Sequence, residues 1–223
     1  MNNNLKDLWN LLIDKTYIIS LEECSDRREK LDIELKRICL TNYEYILVKK
    51  DTEDTRRGCF NSHQIITKKS IENDYNRILV LEDDAIFIDN LDKIKTILLN
   101  VFNYIENNYF SIFFLGHLPL TKLKKQNNNI VSTKDSRFTH CYIASKIGIK
   151  AINNLEYNNQ HIDYVLQNIE NKFACYPMIS YQDDVFTVND FSLIYKIITK
   201  LRNQISCKNI CRLLELFNYY RPF

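Results

Sequence analysis

Three consecutive acidic residues, Glu82, Asp83 and Asp84, are the strongest chemical feature of this sequence. They directly follow residues 77–81, RILVL, a largely hydrophobic run of the length and composition of a buried β-strand. Adjacent carboxylates at a strand end repel one another, and a hard divalent cation such as Mn²⁺ or Mg²⁺ relieves that repulsion because it takes oxygen ligands. The triplet therefore indicates a metal site that can hold a phosphorylated ligand. The alternative is that Asp83 or Asp84 caps the following turn and the other carboxylates are solvated.

Asp84 and Glu82 are the candidates for holding the cation. At a strand-to-turn junction, residues two apart can share a side, so one can ligate the cation while the other contacts it through water or reaches a ribose. We expect Asp84 to be the direct ligand. Such a cation can act as a Lewis acid and stabilise negative charge on a bound phosphate.

Length and composition predict one globular domain with a helical extension. The chain has 223 residues, of which 45% are hydrophobic and 26% charged, which is enough for one sizeable core. A net charge of +2 gives no global electrostatic basis for binding nucleic acid. The N-terminal stretch lacks a secretory pattern, and no apolar run has the length of a membrane span. We therefore expect a cytoplasmic location, with the seven cysteines as reduced thiols.

Alternating strand and helix patterns predict an α/β sheet. Besides the strand that ends on the carboxylates, the predicted strands cover residues 16–21, 45–48, 111–115, 139–144 and 173–176. The predicted helices cover residues 27–39, 62–73 with Ser62 as N-cap, 91–107, 146–155 with Ser145 as N-cap, and a segment that begins near His161.

Two segments depart from this alternation. Residues 116–137 contain the polar run KLKKQNNN, which cannot build a core and predicts a mobile surface loop. Residues 191–223 have a helical period with lysines and arginines beside apolar positions. We therefore expect a catalytic domain over residues 1–190 and a basic amphipathic extension over residues 191–223. That extension either packs on the domain or lies on an anionic membrane surface.

Four separated segments resemble glycosyltransferase family 25, which includes bacterial lipooligosaccharide galactosyltransferases and collagen β-galactosyltransferases. They are YIISLEECSDRR at residues 17–28, GCFNSH at 58–63, VLEDDAIF at 80–87, and HCYIASKIGIKAI at 140–152 followed by HIDYVL at 161–166. The segment QDDVFTVNDF at residues 182–191 is a looser match. The combination of GCxxSH and EDD at about twenty residues' separation is the most specific part of this resemblance.

The resemblance implies a GT-A type fold, a mixed and mostly parallel sheet flanked by helices, with a UDP-sugar as donor and Mn²⁺ or Mg²⁺ as cofactor. It implies a nucleotide pocket lined by Ser20, Leu21, Arg27, Gly58, Ser62, His63, Glu82 and Asp83. A helix that starts at Ser62 and His63 would also favour a nearby anion. His63 can instead be a histidine whose bonds are satisfied within the fold. The sequence departs from the family pattern at Ser20, where the family has Asn, and at Asn189, where it has Ser.

Members of this family invert the configuration of the transferred sugar, so a carboxylate must accept the proton of the attacking hydroxyl. The resemblance makes Asp163 the candidate base. An acidic residue at the start of a predicted helix can also serve only to stabilise that helix terminus. Asp190 is the second candidate, and it can equally orient the acceptor or complete the metal shell.

The sequence thus predicts a metal-dependent, inverting transferase that moves galactose or glucose from a UDP-sugar to a hydroxyl group. The expected acceptor is a saccharide, a lipooligosaccharide or other glycolipid, or a collagen-like hydroxylysine. One alternative is a catalytically weak protein of the same fold that binds nucleotide-sugars or a membrane surface through its C-terminal helix. Another is a metal-dependent phosphohydrolase built on the acidic triplet, which explains neither GCFNSH nor the Asp163 segment.

Overall fold

The computed structural model describes residues 4–119 and 123–182, so Asp190 and the expected C-terminal extension lie outside the described residues. The helices are α1 (Leu5–Leu12), α2 (Ser25–Arg37), α3 (Thr55–Glu72), α4 (Leu91–Ile105), α5 (Lys146–Asn153) and α6 (Ile162–Val165). The strands are β1 (Lys15–Leu21), β2 (Tyr43–Val48), β3 (Arg77–Glu82), β4 (Ala85–Phe87), β5 (Ile112–Phe114), β6 (Leu118–Pro119), β7 (Lys124–Lys125), β8 (Ile130–Ser132), β9 (Ser136–Arg137), β10 (Cys141–Ser145), β11 (Lys172–Cys175) and β12 (Ser180–Gln182).

An eight-stranded mixed sheet in the order β2-β1-β3-β10-β5-β11-β8-β7 forms the centre of the fold. Six of its strands run in one direction, and β10 and β8 run in the other. Strand β1 pairs in parallel with both β2 and β3, so that Ile19 lies opposite Ile46 on one side and Glu82 on the other. The predicted mixed, mostly parallel sheet with flanking helices is confirmed.

Helices cover both faces of this sheet. Helix α2, which connects β1 to β2, and helix α3, which connects β2 to β3, lie on opposite faces. Leu31 and Leu35 of α2 pack in one core cluster with α1 and α4. Phe60 and Ile66 of α3 pack in a second cluster with α5 and α6. The strand order therefore reverses between β1 and β3. In open α/β sheets, ligands bind outside the carboxyl ends of the strands at such a switch point.

Helix α4 shows how the sequence determines this packing. Its buried residues repeat at helical spacing: Ile94, Ile97, Leu98, Val101 and Ile105. The Asn90 side chain accepts a hydrogen bond from the Lys93 N–H at 2.9 Å and so satisfies one donor at the first turn. Each fully buried Ile or Leu contributes about 1.5–3 kcal/mol. The predicted helix over residues 91–107 is confirmed apart from its last two residues.

Helix α3 corrects the prediction that Ser62 is an N-cap. The helix begins at Thr55, and the Asp54 carboxylate caps it by accepting from the Arg56 and Arg57 N–H groups at 3.0 and 3.4 Å. Ser62 lies two turns inside, and its hydroxyl donates to the Gly58 carbonyl at 2.8 Å. The helix continues through GCFNSH because Asp54 supplies an earlier cap. No helix N-terminus is therefore available at Ser62 to attract an anion.

The segment at residues 116–137 also differs from its prediction as a mobile surface loop. Its described residues, 116–119 and 123–137, form four short strands, and β8 pairs with β11 so that Val131 lies opposite Ala174. Ile130 and Val131 are fully buried, and Arg137 is only 4% exposed. The polar run therefore includes the turn of a hairpin whose apolar residues extend the central sheet. Over both described ranges, no helix is long and apolar enough to cross a membrane.

Candidate active site

The three carboxylates lie at the switch point of the sheet. Glu82 ends β3, and the turn at Asp83 and Asp84 leads into β4. Strand β4 pairs with β12 in a separate two-stranded sheet, in which Gln182 lies opposite Ala85. The chain therefore brings Gln182 back to the acidic triplet from a distant part of the sequence. These elements place hydrogen-bond donors from several segments of the chain around the carboxylates.

Asp83 is held by two neighbours from the first crossover. The Ser20 hydroxyl donates to its Oδ2 at 2.7 Å, and an Arg27 guanidinium nitrogen donates to its Oδ1 at 3.2 Å. Ser20 is itself 1% exposed. The Arg28 guanidinium donates to the Ser20 hydroxyl at 3.0 Å and to the Leu21 carbonyl at 2.6 Å. Both oxygens of the Asp83 carboxylate therefore accept hydrogen bonds, and these bonds fix its position.

Asp84 keeps one oxygen without a partner. Its Oδ2 lies 4.0 Å from the Arg27 guanidinium, whereas its Oδ1 is buried and has no hydrogen-bond partner. Burial raises the pKa of this carboxyl to about 6, and the charge of Asp83 adds to the effect. A buried polar atom without a partner destabilises a protein, so such an atom calls for an explanation such as a bound ion.

Glu82 is the most strongly perturbed of the three. The Thr139 hydroxyl donates to its Oε1 at 2.8 Å, and the Gln182 amide nitrogen lies 3.5 Å from its Oε2. Burial raises its pKa to about 8, with a further contribution from the charge of Asp84. The site therefore concentrates more negative charge than its own donors offset.

The carboxylates fit a shared metal site, although within residues 4–119 and 123–182 no group of three or more His, Cys, Asp or Glu side chains is arranged to hold a metal ion. Mg²⁺ is usually bound through one or two carboxylates, with water and substrate phosphates at its remaining positions. Asp84 offers the partnerless Oδ1, and Glu82 lies beside it. Asp83 is already engaged by Ser20 and Arg27.

Asp163 approaches the same carboxylates from α6. The Phe138 N–H donates to its Oδ2 at 3.3 Å, and the Arg137 guanidinium donates to its main-chain carbonyl at 3.2 Å. Burial raises the pKa of the Cys59 thiol well above its usual value, and the charges of Glu82, Asp163 and Asp84 add to this shift. The predicted base and the predicted metal ligands are therefore close enough for their charges to act on the same thiol.

The GCFNSH segment belongs to α3, the helix that contains Cys59. His63 is fully buried, and its Nδ1 lies 2.8 Å from the Tyr142 hydroxyl. Burial lowers the pKa of His63 to about 4, so its imidazole is neutral near pH 7. A Cβ at Gly58 would lie 2.9 Å from the Cβ of Asp51, so Gly58 permits a close approach of the loop before α3. These residues support the fold around the carboxylates from inside α3.

Helices α2 and α6 each line a cleft, and Asp83 and Asp84 line the first of these two clefts. The first, here called the α2 cleft, has a volume of about 410 Å³ and is lined by Asp26, Arg27, Lys30, Leu31, Ile33, Glu34, Asp83, Asp84, Ala85 and Ile86. The second, the α6 cleft, has a volume of about 630 Å³ and is lined by Thr52, Glu53, Asp54, Thr55, Arg56, Asn159, Gln160, His161 and Tyr164. Both volumes fall in the range of roughly 300–1,000 Å³ found for ligand sites.

Thr139, Lys30 and Arg137 also belong to the site and were not predicted from the sequence. Thr139 was assigned to a strand, yet it precedes β10 and donates to Glu82. The pair Arg27 and Lys30 could have been recognised as residues three apart on one helix face. No sequence signal indicated that Arg137 would be buried, because it follows a polar run.

The family model for glycosyltransferase family 25 (LPS biosynthesis protein) matches residues 50–175, more than half of the 223-residue chain. That range contains GCFNSH, the acidic triplet and Asp163. No curated protein matches the chain.

Among solved structures, the A197 protein from STIV is 11% identical, covers 80% of this chain and 99% of its own, and has a TM-score of 0.45. A glycosyltransferase involved in the glycosylation of the major capsid of PBCV-1 is 12% identical, covers 69% and 75%, and has a TM-score of 0.42. A UDP-glucose pyrophosphorylase complexed with UDP-glucose is 10% identical, covers 80% and 78%, and has a TM-score of 0.46. The match of this family model over more than half of the chain shows that the chain belongs to glycosyltransferase family 25.

Proposed function

We propose that this protein is an inverting, metal-dependent hexosyltransferase that uses a UDP-sugar. The transferred sugar is galactose or glucose, and the acceptor is a hydroxyl group of a saccharide, a lipooligosaccharide or a collagen-like hydroxylysine. Membership of glycosyltransferase family 25 supports glycosyl transfer as the reaction class. The donor, the acceptor, the metal and the stereochemistry are the parts that we propose.

The observation that carries this proposal is the unequal state of the three carboxylates. Asp83 has both oxygens engaged by Ser20 and Arg27, whereas Asp84 keeps a buried oxygen without a partner. Asp83 is therefore fixed in the turn, while the Asp84 Oδ1 remains available to a ligand at the switch point of the sheet. Such an arrangement suits a Mn²⁺ or Mg²⁺ ion held by Asp84 and Glu82, which would supply Lewis-acid stabilisation of the leaving diphosphate.

The α2 cleft fits the diphosphate part of the donor. Arg27 lies 3.2 Å from Asp83 and 4.0 Å from Asp84, and Lys30 lines the cleft one helical turn further along α2. These two cations oppose the negative charge that grows on the leaving group. Arg27 also fixes Asp83, so it links the position of the cleft wall to that of the carboxylates.

Asp163 is the proposed general base. An inverting transfer needs the acceptor hydroxyl to attack from the side opposite the leaving group, and a carboxylate near that side to take its proton. The Phe138 N–H orients the Asp163 carboxylate through Oδ2, and the Arg137 guanidinium holds its main chain. Asp190 remains the second candidate for this role.

UDP release tests the proposal. The full-length protein is incubated with UDP-galactose, UDP-glucose and their N-acetylated counterparts, in Mn²⁺ and in EDTA, without and with saccharide acceptors. We expect Mn²⁺-dependent UDP release from one hexose donor and faster release with an acceptor. Phosphate release from p-nitrophenyl phosphate, with no cleavage of any UDP-sugar, would identify a phosphohydrolase instead. Binding of a UDP-sugar without any cleavage would favour a binding protein.

A further inference from the structure

We propose that the α6 cleft is the subsite for the acceptor and that it binds a neutral sugar unit. This inference rests on the proposed function and specifies the second substrate of the same site. The cleft lies between the start of α3 and α6, and one of its walls is Tyr164, the residue directly after Asp163. An acceptor bound there would therefore contact the residue that follows the proposed base in α6.

The charged groups at the start of α3 are paired with one another. The Asp54 Oδ1 accepts from the Arg56 guanidinium at 3.1 Å, and the Asp54 Oδ2 accepts from the Tyr157 hydroxyl. Glu53 pairs with the Arg57 guanidinium at 3.0 Å. An anionic ligand would have to break these pairs to find a cation in this cleft.

Hydroxyl, amide and imidazole groups form the rest of the polar lining. They are the hydroxyls of Thr52 and Thr55, the amides of Asn159 and Gln160, and the imidazole of His161. Amides and hydroxyls offer both donors and acceptors, as a polyhydroxylated ligand requires. The aromatic ring of Tyr164 adds an apolar surface with a polar end. This lining matches a saccharide better than a phosphate.

The two clefts therefore differ in the chemistry that they offer. The α2 cleft has Arg27 and Lys30 next to Asp83 and Asp84, which suits a diphosphate with a divalent cation. The α6 cleft offers paired charges and neutral hydrogen-bonding groups. The charges of Asp163, Glu82 and Asp84 all act on Cys59, which lies one helical turn after Thr55 of the α6 cleft. The proposed division assigns the donor to the α2 cleft and the acceptor to the α6 cleft.

The Tyr164 wall is held in place. The Arg137 guanidinium carbon lies 3.6 Å from the centre of the Tyr164 ring, and Arg137 is only 4% exposed. The same guanidinium donates to the Asp163 carbonyl and lies 3.3 Å from the Asp135 carboxylate. A wall fixed before binding lowers the entropic cost of ordering a flexible hydrophilic ligand.

The test measures binding by NMR on the full-length protein with the diamagnetic Mg²⁺ and UDP present. Lactose, methyl β-galactoside and methyl β-glucoside are titrated at up to tens of millimolar, and the side-chain amide signals of Asn159 and Gln160 are followed. We expect at least one saccharide to shift these signals in a saturable manner. Gln160→Ala assigns the Gln160 signal by removing it.

Matched variants separate this inference from the proposed function. Gln160→Ala and His161→Ala should each weaken saccharide binding by about threefold to tenfold and leave UDP affinity unchanged. Both residues are exposed, and His161 makes no side-chain capping bond to α6, so neither change should affect the fold. Lys30→Ala should weaken UDP binding and leave saccharide affinity unchanged. Tyr109→Ala, whose side chain is 84% exposed at the other end of the sheet, should change neither.

Two results would overturn the inference. The first is that none of the three saccharides shifts the Asn159 and Gln160 signals while UDP binds normally. The second is that saccharide binding is weakened by Lys30→Ala and not by Gln160→Ala. If UDP itself fails to bind in Mg²⁺ and in Mn²⁺, the proposed function fails together with the inference.

Discussion

The Ser20 hydroxyl lies 2.7 Å from the Asp83 Oδ2 and joins the ends of two neighbouring parallel strands. Ser20 belongs to β1, and Asp83 directly follows β3, so this bond spans the switch point of the sheet. It fixes the turn that presents Asp84. The family resemblance placed Asn at the position of Ser20, and either side chain can donate a hydrogen bond to a carboxylate.

Ser20→Ala should lower the free energy of unfolding by about 1–3 kcal/mol, because it removes a partly buried hydrogen bond to the Asp83 side chain. Urea unfolding in EDTA measures this effect without a metal contribution. Ser25→Ala is the matched control, since Ser25 is exposed in the first turn of α2, and it should change stability by less than about 0.5 kcal/mol. Equal effects of the two substitutions would contradict the role assigned to the Ser20 bond.

Asp163→Asn should slow sugar transfer by about 10²–10⁴-fold, because an amide cannot accept the acceptor's proton. UDP affinity in Mn²⁺ should not change. Asp74→Asn is the control, since Asp74 is 83% exposed and pairs with Lys146 away from the site. Rapid-quench measurement of transfer under single-turnover conditions separates the chemical step from product release. Full turnover by Asp163→Asn would move the role of base to Asp190.

Arg137→Lys should slow transfer by about tenfold or more and leave UDP affinity unchanged. Lysine keeps the charge that pairs with Asp135 but loses the planar group that stacks on Tyr164 and donates to the Asp163 carbonyl. A small displacement of a catalytic group is enough for such a loss of rate. If transfer and UDP binding weaken in the same proportion, Arg137 supports the fold generally and does not position Asp163.

His63→Gln should make stability less sensitive to acid. Burial holds the pKa of His63 at about 4 in the folded chain, against an ordinary value of 6.5. Between pH 6.5 and 4 the unfolded chain binds a proton that the folded chain does not, so stability falls as the pH falls through this window. The substitution should remove up to about 1.4 kcal/mol per pH unit of this slope.

Urea unfolding of both proteins from pH 8 to pH 5 measures the difference. Above pH 6.5 the two curves should run parallel, because His63 is then neutral in both states. Identical slopes below pH 6.5 would show that His63 takes up a proton in the folded chain.

Local patterns in the sequence were sufficient to predict several of the strands and helices around the site. The strand before Glu82 and the apolar stripe of α4 depend on residues close in sequence. The Ser145 cap of α5 was predicted for the same reason, and its hydroxyl accepts from the Gly148 N–H at 3.3 Å. The predicted start of α3 at Ser62 was wrong, because Asp54, in a polar stretch with several acidic residues, caps the helix earlier.

The partners of the carboxylates depend on contacts between distant residues, which periodicity does not reveal. Thr139 and Gln182 lie 57 and 100 positions from Glu82, and the pairing of β4 with β12 brings Gln182 close. Burial of Arg137 follows likewise from its packing on α6. Polar composition predicted exposure for residues 116–137, whereas strand pairing buries part of that segment.

The most direct test of the proposed site compares Asp84→Asn with Asp26→Asn in Mn²⁺-dependent UDP release from the donor that the wild-type protein cleaves. Asp26 is exposed and lines the same α2 cleft, so the two substitutions make the same chemical change at neighbouring positions. Asp84→Asn should reduce release by about 100-fold or more, and Asp26→Asn should retain most of it. The melting temperature in EDTA should not fall for Asp84→Asn, because the substitution removes a buried charge with a partnerless oxygen. Wild-type release by a folded Asp84→Asn protein would contradict the assignment of this carboxylate as the metal ligand.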